Sequence, residues 1–149
     1  MECAFCAVAT GRAPVSTVYA DDRVLAFCDI EPFTTGHTLV IPKRHGVALA
    51  DVDPTDVARM FVVGQQVAAA ARVALGCPGI NLFLADGQAA WQTVFHAHLH
   101  VIPRWGRADR MRLTAKGRRR PPRTELDRLA GALASAPPFG GSRPGTEPG

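Results

Sequence analysis

An α+β domain is the architecture encoded by this chain of 149 residues, and three observations lead to it. β-prone runs fill the first third, one long helical pattern follows, and two further β-prone runs come after it. That order lacks the alternating strand–helix units of a doubly wound sheet. Neither a Gly-x-x-x-x-Gly-Lys-[Ser/Thr] loop nor a strand-associated Gly-x-Gly-x-x-Gly occurs, so any nucleotide is held without those phosphate cradles. The length supports one core and is too short for two ordinary domains. We place a single domain over 1–134, with its core over 3–104 and a basic segment plus C-terminal helix over 105–134.

Residues 17–20 and 23–28 are β-prone runs separated by Asp21-Asp22, a hairpin pattern. Residues 38–41 form a short apolar strand stopped by Pro42. The main helix begins where Asp53 caps, Pro54 occupies the first turn and Asp56 adds an acid to it. Val57, Met60, Phe61, Gly64, Val67, Ala68, Ala71 and Leu75 follow at helical spacing, and Gly76 and Pro78 end it. Residues 80–84 and 93–102 are strands joined across an Asp86-Gly87 turn region. Thr124 is suited to cap a short final helix carrying Leu126, Leu129 and Leu133. Residues 135–149, rich in Pro, Gly and Ser, read as a disordered tail. No internal repeat is visible.

Composition narrows the functional classes. An apolar fraction of 47% with 20% charged residues suits a compact fold rather than a disordered chain. The most apolar region, 60–75, is interrupted by Gln65, Gln66 and Arg72, so no run reaches membrane-span length. The beginning of the chain lacks a basic n-region and an apolar h-region, which predicts a cytoplasmic location. The net charge of +4 is uneven. Residues 1–103 carry 6 basic against 9 acidic groups, whereas 104–128 carry 10 against 3. No aromatic residue interleaves the Arg118-Arg119-Arg120 cluster, so it reads as a solvated basic loop rather than a nucleic-acid footprint.

The chemistry concentrates at His96-Ala97-His98-Leu99-His100, which holds three of the five histidines. Alternation in a strand points the three imidazoles to one side. A polar row, a metal site and a catalytic imidazole all use such a pattern. Sharing one ion among all three is awkward, since the outer pair is about 13 Å apart at Cα in an extended strand. Neutral imidazole is a competent nucleophile and the best acid–base group near pH 7.

These residues, with the apolar pair that follows them, resemble the signature of the histidine triad (HIT) family. The match extends upstream to Ala26-Phe27-Cys28-Asp29-Ile30, to Gly36-His37-Thr38-Leu39-Val40-Ile41-Pro42-Lys43-Arg44-His45, and to Gln92-Thr93-Val94-Phe95. The branch it looks like is the small bacterial HIT or Hint-like group of nucleotide hydrolases. That resemblance implies a five-stranded antiparallel sheet with one main helix, and a homodimer joined into a ten-stranded sheet. It also implies attack by His98 on the α-phosphate of a nucleoside phosphoramidate or related 5′-phosphate derivative, through a nucleotidyl-histidine. Cleavage of dinucleoside polyphosphates and non-catalytic nucleotide binding are the alternatives. His100, Thr93 and Gln92 then contact the phosphate, His37 supports the triad from behind, and Asp29 and Phe27 hold ribose and base of a purine nucleotide.

The Cys3-x-x-Cys6 pair suggests metal or redox chemistry, and no strand precedes it as a thioredoxin-like motif requires. By the same resemblance, Cys3, Cys6, His45 and His96 hold a structural zinc. Cys28 and Cys77 read as small core residues. Two positions depart from many hydrolytic relatives, with Ala85 in place of asparagine and Trp91 in place of glycine. The indole is expected either to obstruct the phosphate or to stack on the base.

Overall fold

The computed structural model describes residues 2–106 and 118–140. Five strands, β1 (Thr17–Ala20), β2 (Val24–Cys28), β3 (Thr38–Pro42), β4 (Gly79–Leu84) and β5 (Leu99–Arg104), form one sheet in the order β1-β2-β3-β5-β4. Every neighbouring pair is antiparallel. This is the expected α+β sheet, and β1 and β4 are its edges. Three α-helices, α1 (Ala4–Ala9), α2 (Pro54–Leu75) and α3 (Arg123–Ser135), and two short 3-10 helices (Leu49–Asp51 and Gln88–Ala90) complete the elements of the described residues. None is long and apolar enough to cross a membrane.

Both faces of the sheet are covered, which is why β2 and β3 are buried along their whole lengths. Alternation sorts the side chains. Val24, Ala26, Val40, Leu99 and Val101 face the core built with α2 and α3. Leu25, Phe27, Leu39 and Ile41 face the other way, toward Phe5, Val8 and Ala9 of α1. His98 and His100 flank Leu99, so they belong to the face that α1 covers.

The long helix begins and ends as its sequence dictates. The Asp53 carboxylate accepts the Thr55 amide at 2.8 Å, and Gly76 closes the helix in the left-handed region at φ 64°. Met60, Val63, Gly64, Val67, Ala70 and Ala71 form its buried stripe, whereas Phe61 is exposed. Gly64 sits so close to the sheet that a Cβ there would lie 2.8 Å from Leu99 Cδ2.

Four details differ from the sequence expectation. The last strand starts at Leu99, six residues later than expected, and runs through Pro103 to Arg104. Ahead of it the chain leaves the ladder, because the Pro42 carbonyl is taken by the His96 ring and the Ala97 amide donates to Gly46. Pro103 is tolerated because its backbone faces the space beyond the end of β3, where Thr34 Oγ1 donates to its carbonyl at 2.6 Å. The short helix α1 was not expected; the Cys3 sulfur caps it by accepting the Cys6 amide at 3.4 Å.

Pro122, not Thr124, is the N-cap of α3, and no side chain caps it. Tertiary contacts hold the helix instead: Leu126, Leu129, Ala130 and Leu133 join the core. Buried Ser16 donates to Asp127 at 2.6 Å. Residues 135–140 of the expected tail are placed against the fold. Ser135 is helical, and the Phe139 ring stacks on Tyr19 at 5.2 Å. Residues 141–149 and 107–117 lie outside the described residues. Cys28 and Cys77 are buried as expected, and burial pushes the Cys28 thiol up to about 12.

Candidate active site

The row of histidines lies along the α1 face, but each imidazole has its own partners. Phe5 of α1 meets His96 and His98 edge-on at 5.9 and 5.2 Å, and the His98 and His100 rings are 4.8 Å apart. Local backbone bonds then fix which nitrogen of each ring carries the proton.

The deduction starts at Phe33, whose amide can only donate and lies 3.0 Å from His37 Nδ1. His37 is therefore protonated at Nε2, which lies 2.8 Å from His100 Nδ1 and donates to it. His100 in turn keeps its proton on Nε2. His98 Nδ1 lies 2.7 Å from the His96 carbonyl, which can only accept, so the His98 proton is on Nδ1 and its Nε2 lone pair is bare. His96 donates from Nε2 to the Pro42 carbonyl at 2.8 Å, leaving Nδ1 bare. One row of histidines thus presents a bare Nε2 at His98, an Nε2–H donor at His100 and a bare Nδ1 at His96.

Burial keeps this relay neutral. It holds His37 down at about 3, with the charge of Arg118 and then His98 adding to the effect. His100 is also held at about 3, by burial first and then by His37 and His98. Burial lowers His98 too, opposed by the bond to the His96 carbonyl and by Asp29. His37 Nδ1 lies 3.4 Å from Asp29 Oδ2, but with Nδ1 accepting from Phe33 and the ring neutral this contact is not an ion pair.

A cavity of about 430 Å³ opens beside the row. Phe5, Val8 and Phe27 supply an apolar wall, and Asp29, Thr93, His98 and His100 supply polar groups. The Asp29 Oδ1 accepts the Glu31 amide at 2.9 Å, which orients the carboxylate. Of the expected site residues, Phe27, Asp29, Thr93, His98 and His100 share this cavity, and His37 stands behind His100.

Gln92 does not join them. It is buried and its amide is consumed by two loops, Oε1 accepting the Gly87 amide and Nε2 donating to the Val47 carbonyl, each at 2.8 Å. It fastens the approach to β5 rather than facing a phosphate. Trp91 is 60% exposed and Ala85 is buried, and neither lines the cavity.

The structure adds Phe5, Phe33 and Arg118. Phe33 stacks on His37 at 5.0 Å, and the Arg118 guanidinium lies 4.1 Å from the Phe33 ring centroid. The expectation of a solvated basic loop fails at Arg118, whose side chain is only 14% exposed and lines the cavity. Arg119 and Arg120 do remain exposed, paired with Glu125 and Glu31. Signals for these residues in the sequence were faint, since an isolated Phe in a turn and one Arg among many carry no pattern.

At the other end of the row, the donor atoms of Cys3, Cys6, His45 and His96 all lie within 4.8 Å of one another. The His45 and His96 Nδ1 atoms are 3.3 Å apart. Sulfur–nitrogen separations are 3.5 Å for Cys3–His96, 3.3 Å for Cys6–His45 and 3.6 Å for Cys6–His96. Tetrahedral zinc bonds imply edges of about 3.3 Å between nitrogens and about 3.6 Å between nitrogen and sulfur. The donor set therefore fits such an ion, and the Nε2 bond of His96 leaves the required lone pair facing it. The one other grouping among the described residues, Asp29 with His37 and His100, is spent on its own hydrogen bonds.

A five-stranded antiparallel sheet with alternating histidines leading into its last strand, His98 directly before β5 and His100 within it backed by His37, defines the histidine-triad class. The HIT domain model matches residues 10–106, and the chain belongs to the HIT family. A HIT-like protein of Mycobacterium tuberculosis is 50% identical over 103 residues, covering 69% of this chain and 72% of that protein. The crystal structure of a zinc-bound histidine triad family protein from Mycobacterium smegmatis superposes with a TM-score of 0.77 at 50% identity, covering 91% of this chain and 95% of that one. Adenylylsulfatase HINT3 of Arabidopsis thaliana is 38% identical over 103 residues, which are 69% of this chain and 52% of the plant protein.

Proposed function

We propose that this protein is a nucleotide hydrolase that transfers a nucleoside 5′-phosphoryl group first to His98 and then to water. The observation that carries the reading is the bare Nε2 of His98, a ring held by the His96 carbonyl, in a cavity shared with a carboxylate and a second imidazole. Substrates of this reading are nucleoside phosphoramidates and related 5′-phosphate derivatives. The adenylyl substrate in the name of the plant relative supports a nucleotidyl donor.

In the first step the Nε2 lone pair forms a bond to the α-phosphorus. The bond from that phosphorus to the leaving group breaks, and its electron pair leaves with the group. In the second step water attacks the same phosphorus, the N–P bond breaks, and the nucleoside 5′-monophosphate departs with His98 restored. The proton that the water gives up balances the one that an amine leaving group takes up from solvent. The His100 N–H donates to a phosphoryl oxygen, a donor fixed in advance because His37 holds the other side of the ring. Asp29 Oδ2 accepts from ribose hydroxyls, and the wall of Phe5, Val8 and Phe27 takes a purine base. His37 is a positioning residue in this scheme.

The test is release of AMP from an adenosine phosphoramidate by wild type and His98→Ala. Turnover falls about a thousandfold or more in the variant while AMP still binds. Activity that survives the substitution removes the mechanism. Because burial lowers His98, the acid limb of kcat/KM lies below the ordinary histidine value of 6.5.

We assign the four-residue cluster to a structural zinc. With all four positions supplied by Cys3, Cys6, His45 and His96, such an ion would tie α1 to the histidine face and would leave no place for a reacting water. Metal analysis of purified protein yields one zinc per chain, and Cys3→Ser loses it and melts at a lower temperature. Wild type purified without zinc refutes the assignment.

A further inference from the structure

Arg118 is a cation that the scheme above leaves unused. Its side chain is 14% exposed and lines the same cavity as His98 and His100. Phe33 supports the guanidinium from below, and the same Phe33 ring stacks on His37 behind His100. Two of its three nitrogens, Nε and Nη1, are buried and have no hydrogen-bond partner. The third, Nη2, stands 3.9 Å from Glu31 Oε2, beyond hydrogen-bond range.

The other arginines of the cavity are committed. Arg120 donates to Glu31 from two nitrogens, and Arg123 Nη1 donates to Ser16 Oγ at 3.0 Å. Three arginines stand against two carboxylates, Asp29 and Glu31, on the cavity wall. A buried guanidinium with unmet N–H groups is costly to keep and strengthens any anion placed beside it. For those groups to meet a ligand in the cavity, the long side chain must turn.

We propose that Arg118 forms an anion subsite for the group attached to the α-phosphate, so that the site favours leaving groups that carry their own negative charge, such as a second phosphate or a sulfate, over neutral amines. This inference rests on the nucleotide reading above and goes beyond it by assigning the leaving-group class and the residue that selects it. The α-phosphate faces His98 and His100, and the subsite lies on the His37–Phe33 side of His100, where the charge of Arg118 already depresses His37 and His100.

The probes are AMP and the non-hydrolysable α,β-methylene analogue of ADP, titrated calorimetrically in magnesium-free buffer. Wild type binds the diphosphate analogue about 10–100-fold more tightly than AMP, the range expected of a charge-assisted contact. Arg118→Gln binds the two alike, with AMP affinity within about threefold of wild type, and Arg118→Lys keeps part of the preference. Turnover follows the same division: Arg118→Gln loses more activity on an adenosine 5′-phosphosulfate than on a phosphoramidate. A preference that persists in Arg118→Gln, equal binding of both probes by wild type, or an equal loss for both probes in the variant overturns the subsite while the nucleotide reading stands. Failure of folded wild type to bind either probe overturns the nucleotide reading itself, and the subsite with it.

Discussion

At the scale of single residues, a backbone hydrogen bond decides what each histidine does. The imidazoles of His96 and His98 are chemically identical, yet His96 donates from Nε2 to Pro42 and His98 donates from Nδ1 to His96. One ring consequently presents Nδ1 to a cysteine pair and the other presents Nε2 to a cavity. Trp91 makes a different residue-scale point. It occupies the left-handed region at φ 67°, the only described residue other than glycine to do so, with its indole largely in water. A side chain there costs about 1–2 kcal/mol that glycine avoids, and an exposed indole returns little of it. Trp91→Gly therefore raises the melting temperature by about 2–6 °C and leaves AMP affinity unchanged. Thermal unfolding of the two proteins beside a nucleotide titration checks both halves.

At the scale of elements, close approach of α2 to β5 sets the position of the strand that carries His100 and follows His98. Gly64 allows that approach by presenting no Cβ to Leu99, which is itself almost fully buried. Alanine is the better helix former by about 1 kcal/mol, but here its methyl group must push Leu99 aside. Gly64→Ala is expected to destabilise by about 1–2 kcal/mol net, read as a lower denaturation midpoint with an unchanged slope. Because Leu99 lies between His98 and His100, kcat falls along with stability. An alanine variant as stable as wild type contradicts the packing argument. Helix α1 shows the reverse dependence: at six residues it is too short to persist alone, and its capping sulfur belongs to the cluster of Cys3, Cys6, His45 and His96.

At the scale of the whole molecule, the buried relay couples folding to pH. His37 and His100 are held at about 3 when folded and titrate near 6.5 when unfolded. Between those values the unfolded chain binds more protons, so stability rises with pH through that window. The contribution is complete above about 6.5 and is lost as the pH falls toward 3, with a slope on the order of 1–3 kcal/mol per pH unit for the two groups. Denaturation midpoints measured from pH 7.5 down to 4 follow that decline. In His37→Gln the slope is shallower, since one of the two protons is removed. Stability that is flat from pH 7 to 4 contradicts a neutral relay.

Much of this molecule was legible in the chain alone. Period-two alternation placed the triad on one face, Asp53-Pro54 and Gly76 marked the ends of α2, and the paired motifs around His37 and His98 identified the family. Those features depend on neighbours within a few residues, so local stereochemistry is sufficient to write them. The rest depended on groups far apart in sequence. Cys3 meets His96 across 93 positions, His37 meets His100 across 63, and Gln92 reaches Val47 across 45. Whether an imidazole is a nucleophile, a donor or a ligand follows from the partner on its other nitrogen, and whether an arginine is solvated or aimed into a cavity follows from what packs around it. Sequence supplies those side chains, but only the folded sheet with helices on both faces determines which polar atoms face each other, because burial makes most such atoms find their partners across the fold.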